Sequence, residues 1–178
     1  TAGPFTKILN TTLKRSDKVW YRGPFGLGTY NPVSGKTILV SGGCGCVPLY
    51  CLAQTLKAPS PTRVIIGAKT KSELLFVNRF RRLGLTTIVT TDDGTAGTKG
   101  FTTDALEAIL KTETIACVYG CGPDPMLKTI ARLCREYRVK YQLSLEALMK
   151  CGFGICGSCS RAGQLVCLDG PVFTRWPE

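Results

Sequence analysis

The sequence predicts an α/β protein: an open parallel-sheet domain followed by a small cysteine-rich one. Three observations carry this. Five strand-like apolar segments between Thr37 and Ser144 are separated by helical patterns and short connections. Glycine-rich turns follow two of those segments, at Gly42–Gly45 and Gly120–Gly122. After Leu145 the alternation stops, and four cysteines crowd into residues 151–167.

Residues 1–30 are short and punctuated. Lys18-Val19-Trp20-Tyr21 reads as a strand, and the Gly/Pro-rich run Arg22–Gly28 as its turn. Asn31–Lys36 reads as a linker. Thr37-Ile38-Leu39-Val40 is continuously apolar after its first residue, the mark of a strand buried on both faces. Val47–Lys57 reads as a helix with Pro48 in its first turn. Thr62–Ala68 is the next strand. Ser72–Leu83 reads as a helix, with Glu73 in its first turn and Gly84 just past its end. Thr86–Thr90 is a third strand, closed by Thr91-Asp92-Asp93-Gly94. Thr103–Leu110 follows as a helix, Ile115–Tyr119 as a strand and Asp124–Tyr137 as a helix. Lys140–Ser144 is the last strand. Such β-α repetition demands a parallel sheet with right-handed crossovers. Residues from 145 onward are too few to hold a core alone, so a metal centre is the expected organiser.

Composition narrows the function. The chain has 178 residues, 44% of them hydrophobic, enough for a real core. No apolar run reaches the length of a membrane span. Thr1–Asn10 lacks the basic start and long apolar stretch of a secretory signal, and the first residue is not Met. A processed chain, or a piece of a longer one, is expected. Lys and Arg number 23 against 12 Asp and Glu, a formal charge of +11. The basic residues are scattered, as in Lys14/Arg15 and Arg79/Arg81/Arg82, with no aromatic interleaving. Nucleic-acid binding is therefore not expected; a nucleotide pocket is. There is no histidine. That excludes a Ser-His-Asp triad, a Rieske centre, a His-ligated zinc site and a His-ligated haem.

The cysteines carry the sharpest signal. Cys151, Cys156, Cys159 and Cys167 are spaced C-x4-C-x2-C with the fourth seven residues on. This is the plant-type [2Fe–2S] pattern. A two-iron rhomb needs four thiolates converging from a small loop. Glycines 152, 154 and 157 let the backbone wrap and aim N–H groups at sulfur. Leu165–Leu168 reads as the strand that returns the last ligand. A zinc knuckle would want paired C-x2-C turns, and only one is present. An oxidised cluster, net charge about −2, would bring the chain to about +9. The other six cysteines (Cys44, Cys46, Cys51, Cys117, Cys121, Cys134) read as small hydrophobes in a reducing cytoplasm.

Ser41–Pro48 follows a buried strand and opens a helix. There Gly42, Gly43 and Gly45, with Val47 and Pro48, could admit a pyrophosphate to the helix N-terminus. The alternative is a tight turn that needs glycine for packing only. Gly120-Cys121-Gly122-Pro123 ends the fourth strand and would face the same crevice, with Cys121 at its mouth or simply packed. Asp92 and Asp93 could contact a ribose or cap a turn; the cap is the favoured reading.

Four segments together carry a family resemblance. They are GGCGCVPLY from residue 42, TDDGTAGTKGF from residue 91, YGCGPDPM from residue 119, and MKCGFGICGSC from residue 149 with its closing CLDGPVF. The chain resembles, from about Gly3 to Trp176, the electron-transfer subunits of dihydroorotate dehydrogenase, within the ferredoxin–NADP reductase superfamily. The resemblance implies a catalytic partner that oxidises dihydroorotate on FMN in pyrimidine biosynthesis, in a heterotetramer. Electrons would pass through the [2Fe–2S] cluster to FAD and then to NAD. It implies three parts: residues 1–35 as the end of an FAD-binding β-barrel, 36–144 as the NAD-binding domain, and 145–178 as the cluster domain. Gly3, Phe5 and Thr6 would lie on the barrel turn at the FAD phosphates, and Lys18–Gly28 on its last strand. The barrel's first half has no counterpart, so upstream residues are missing, sit on another chain, or this version has shed FAD. The same features suit a subunit of another NAD(P)H-linked complex (ferredoxin–NADP oxidoreductase, sulfide dehydrogenase or hydrogenase), or a cluster-only relay.

Overall fold

A computed structural model describes residues 3–56 and 61–177. The strands are β1 (Thr37–Gly42), β2 (Thr62–Ala68), β3 (Thr86–Thr91), β4 (Thr98–Lys99), β5 (Cys117–Cys121), β6 (Lys140–Ser144), β7 (Ser160–Arg161), β8 (Gln164–Leu165) and β9 (Val172–Phe173). The helices are α1 (Pro4–Thr12), α2 (Cys46–Thr55), α3 (Val77–Arg82), α4 (Thr102–Thr112) and α5 (Asp124–Glu136). Seven strands form one sheet in the order β4-β3-β2-β1-β5-β6-β9, parallel except for β9. From β1 the chain builds outward through β2 and β3, then crosses to β5 and β6 on the other side. The reversal leaves a switch point between β1 and β5.

The continuous apolar strands do what burial on both faces requires. Ile38, Val40, Ile65 and Val118 point to the face covered by α4 and α5. Leu39, Val64, Ile66 and Tyr119 point to the face covered by α2 and α3. All eight are buried, and each side chain of this kind contributes roughly 1.5–3 kcal/mol on leaving water.

The structure revises several sequence expectations. Ser72–Leu83 is a 3-10 turn (Lys71–Glu73) and then α3, interrupted at Phe76, whose φ of 62° is left-handed. The break turns Phe76 onto Tyr50, at a ring distance of 5.4 Å, with Arg79 stacked 4.4 Å above it. The fourth major strand begins two residues late, because its register with β1 pairs Thr37 with Cys117. Gly120 and Cys121 are therefore strand residues, and the turn starts at Gly122. Leu165–Leu168 is a strand only at its first residue; a turn follows, closed by Leu168 N–H to Leu165 O at 2.9 Å. Lys57, the last residue of the expected helix after β1, lies outside the described residues.

Residues 3–35 depart furthest. Gly3–Thr6 is no barrel turn: it opens α1, with Pro4 as the first helical residue and the Thr6 hydroxyl bonded back to Gly3. Lys18–Tyr21 forms no strand, and Trp20 is fully exposed. A strand exists only by pairing, and among the described residues Lys18–Tyr21 pairs with no strand; backbone pairing begins later, where Leu27 and Gly28 N–H donate to Leu168 O and Gly170 O and Gly28 bridges to Pro171. The expected linker, by contrast, is stitched to the sheet. Gln142 accepts from Asn31 N–H and donates to its carbonyl, both at 2.7 Å. The Tyr119 hydroxyl accepts from Val33 N–H at 2.8 Å and donates to Asn31 O at 3.1 Å. Burial pushes that hydroxyl's pKa up to about 12.

Candidate functional site

Two features lie on one side of the molecule's chemistry: a crevice over the sheet and a cysteine loop at its β6 edge. The crevice encloses about 470 Å³ at the carboxyl ends of the strands. Gly42 and Gly43 leave β1 there, Gly67 and Ala68 leave β2, and Thr90 and Asp92 leave β3. Thr102 and Thr103 open α4, and Pro123, Pro125 and Met126 open α5. Two positive helix ends thus border one space, with Lys69 on its wall. The Thr90 hydroxyl is buried with no hydrogen-bond partner among the described residues, so a ligand atom that met it would remove a desolvation cost. Gly67 keeps the space open: a Cβ there would lie 2.4 Å from Thr102 Cγ2.

The glycine turns divide between two tasks. Gly43, at φ 53° with open space where a Cβ would stand, faces the crevice. Gly45 answers to packing, since a Cβ would fall 2.0 Å from Cys121 O. Val47 and Pro48 lie along α2 and do not line the crevice. Nor do Gly120, Cys121 and Gly122; Pro123 does. Cys121 is not at the mouth: it is buried in the α2-side core, and that burial raises its thiol pKa to about 11. Asp93 caps its turn, accepting Thr95 N–H at 2.9 Å and its hydroxyl at 2.6 Å, which holds its carboxyl below the ordinary range. Lys69, Thr90, Phe101, Thr102, Thr103, Met126 and Thr129 also line the space and were not read from the sequence. Their common signal is position, at strand carboxyl ends and in the first two turns of the helices that follow.

The cysteine loop is built differently. The thiols interact in two pairs, Cys151 with Cys156 and Cys159 with Cys167, and backbone N–H groups serve one sulfur of each. Cys156 N–H reaches Cys151 Sγ at 3.5 Å, and Cys167 N–H reaches Cys159 Sγ at 3.5 Å. Gly152 and Gly154 hold φ of 78° and 85°, and a Cβ on either would strike Phe25 or Leu168. This wrapping turns the N–H groups of Cys156, Phe153 and Ile155 toward Cys151 and draws its thiol pKa down to about 6. Cys159 and Cys167 are buried beside Val166 and Phe173, while Cys156 is exposed. Among the described residues no disulfide is present and no three acidic, Cys or His side chains converge as a single-ion site. A two-iron cluster asks for two thiolates on each iron, so the paired donor set could hold one. Gly3, Phe5 and Thr6 do not fit a flavin in the same way: they lie on α1, where no side chain is buried, away from the crevice.

Residues 146–176 match the iron–sulfur cluster binding domain of dihydroorotate dehydrogenase B. A relative from Thermococcus kodakarensis is 42% identical over 96% of this chain and 71% of its own length. It is named the probable electron transfer subunit of dihydroorotate dehydrogenase B (NAD(+)). The chain belongs to that family. A relative of the same name from Methanocaldococcus jannaschii is 42% identical over 96% of the chain and 66% of its own length. The chain thus spans about two thirds of these dihydroorotate dehydrogenase B electron transfer subunits. Among solved structures, an NADH-dependent reduced ferredoxin–NADP oxidoreductase superposes with a TM-score of 0.82 at 31% identity. That match covers 97% of this chain and 64% of the other. The sheet and cysteine segment are therefore of the ferredoxin–NADP reductase kind. No helix among the described residues is long and apolar enough to cross a membrane.

Proposed function

We propose that the chain relays electrons within a dihydroorotate dehydrogenase B, between a catalytic subunit carrying FMN and a nicotinamide nucleotide. Substrate chemistry belongs to the partner chain, in a heterotetramer within a reducing cytoplasm. The observation that carries the reading is the side-chain pairing of Cys151 with Cys156 and of Cys159 with Cys167 inside a segment that matches the family's cluster domain. When bound, a [2Fe–2S] cluster supplies one-electron transfer. The chain's own residues do the rest. Residues 145–178 present four thiolates and the N–H groups that stabilise negative charge on sulfur. Residues 36–144 hold NAD: Gly42 and Gly43 leave room for a pyrophosphate, the openings of α4 and α5 face its charge, and Asp92 accepts from a ribose hydroxyl. Gly45, Cys121 and Gly122 support that site from behind, by packing the two turns together, and Gly120 by close packing on β6 and α5. FAD completes the relay in this reading, though Gly3, Phe5 and Thr6 on the exposed α1 offer it no cradle.

The structural likeness to the ferredoxin–NADP oxidoreductase supports a second reading, the same relay serving a different partner chain. One experiment tests both. The chain is purified anaerobically with whatever co-purifies, and iron, sulfide and acid-released flavin are counted per chain. Dihydroorotate-dependent reduction of NAD⁺ is then assayed. Two irons per chain with that activity are expected. Iron with NADH oxidation but no response to dihydroorotate would move the chain to the second reading. Absence of iron after anaerobic reconstitution would overturn both.

A further inference from the structure

Among the described residues an ion pair joins the cysteine loop to the edge of the nucleotide crevice, beside the packing of Met126 on the core that holds Cys159 and Cys167. Arg161 ends β7, the first strand of a hairpin closed by Ala162-Gly163. Both turn residues have positive φ, 45° and 80°, the backbone of a two-residue turn that sets strand direction rigidly. That hairpin aims the Arg161 guanidinium at α5. Its Nη1 pairs with the Asp124 carboxylate, and its Nη2 donates to Glu146 O at 2.8 Å. Asp124 is the first residue of α5 and follows Pro123, which lines the crevice. Two residues back from Arg161 stands Cys159. Among the ion pairs of the described residues, Arg161–Asp124 is the one that ties the cysteine segment to the sheet domain.

We propose that Arg161 is a positioning residue that couples the cluster loop to occupancy of the nucleotide crevice, by clamping residues 157–163 to the first turn of α5. The proposal rests on the cluster and nucleotide reading above. A planar guanidinium with two separate acceptors fixes both distance and angle, which an ammonium does not. Any shift of Pro123 and Asp124 on nucleotide binding is handed to the backbone that carries Cys159. Coupling is reciprocal, so the nucleotide must bind the oxidised and reduced forms with different affinity.

The test uses the cluster-loaded chain and ADP-ribose, which carries no hydride acceptor. The cluster's midpoint potential is measured by EPR-monitored titration with and without saturating ADP-ribose, alongside iron content. In the unaltered chain we expect at least a threefold affinity ratio between the two forms, a shift of ~28 mV at 59 mV per tenfold for one electron. Arg161→Ala and Asp124→Asn should each lose at least half of it at unchanged iron content. Asp124→Glu should keep it. Asp124→Asn lies on the helix, so it remains readable if Arg161→Ala sheds iron. A shift that persists in Asp124→Asn is through-space and overturns the proposal. An unaltered chain that binds both iron and ADP-ribose without a shift also overturns it, while leaving the reading beneath it intact. Failure to bind iron or ADP-ribose at all removes that reading and the proposal together.

Discussion

The sheet domain and the cysteine loop solve the same problem, holding a backbone still, by opposite means. In residues 37–144 the strands are paired along their length and their side chains fill two buried clusters. In residues 145–176 the strands are two residues long, and Phe153, Ile155 and Leu148 are exposed. Cys159, Val166, Cys167 and Phe173 of that segment are buried in the core alongside Leu145, with Ala147, Met149, Leu165 and Trp176 packed against it. The first region draws its stability from apolar burial, which tolerates small errors in any one residue. The second depends on a few fixed points, so loss of one should release the whole segment.

That contrast can be broken from either side. The largest effect should come from Cys159→Ser. We expect loss of the cluster and faster amide exchange across residues 149–177, with the amides of β1–β6 unchanged. A variant that kept its full iron content would end the ligand assignment. Next is Leu39→Ala, which opens a cavity in the α2-side core and should cost ~2–5 kcal/mol in denaturant unfolding. Here sheet and loop should fail together, because the loop docks on β6. Gly67→Val sharpens the comparison within the sheet domain. Its new side chain meets Thr102 in the crevice wall, so NADH affinity should fall at least tenfold, ~1.4 kcal/mol, at unchanged iron content. Fluorescence titration of NADH reads the first quantity and a colorimetric iron assay the second.

The smallest effect concerns acid. Arg63 and then Lys36 hydrogen-bond to Glu113 and hold its carboxyl below the ordinary range. A folded-state pKa depressed in this way gives stability that is present above the unfolded pKa and lost as pH falls through the folded one. Glu113→Gln should therefore flatten the acid limb of a Tm-against-pH curve slightly and leave the neutral plateau nearly unchanged. Unequal slopes at neutral pH would show that another group dominates.

Much of this was legible from residues alone. Thr62–Ala68 and Lys140–Ser144 are found with the bounds read from their apolar runs, and α5 differs by one residue. Those segments obey local rules of periodicity and capping. The C-x4-C-x2-C spacing likewise named a loop whose thiols the fold pairs two and two. The readings that failed needed information from elsewhere in the chain. Lys18–Tyr21 has strand-forming residues but pairs with no strand among the described residues. Ser72–Leu83 has a helical pattern, broken where Phe76 turns onto Tyr50. Cys121 sits in a turn motif, yet register with β1 draws it into the sheet and under α2.

The sequence by itself determined the order of the elements, which faces of the strands are apolar and where four thiols could gather. Each of these follows from neighbours within a few positions. Only the tertiary structure decided that Gly67, Thr90 and Met126 share a wall, that Gly45 serves packing while Gly43 serves the crevice, and that Arg161 meets Asp124. Those juxtapositions arise from parallel pairing and crossover between segments far apart in the chain, a geometry that no local periodicity encodes.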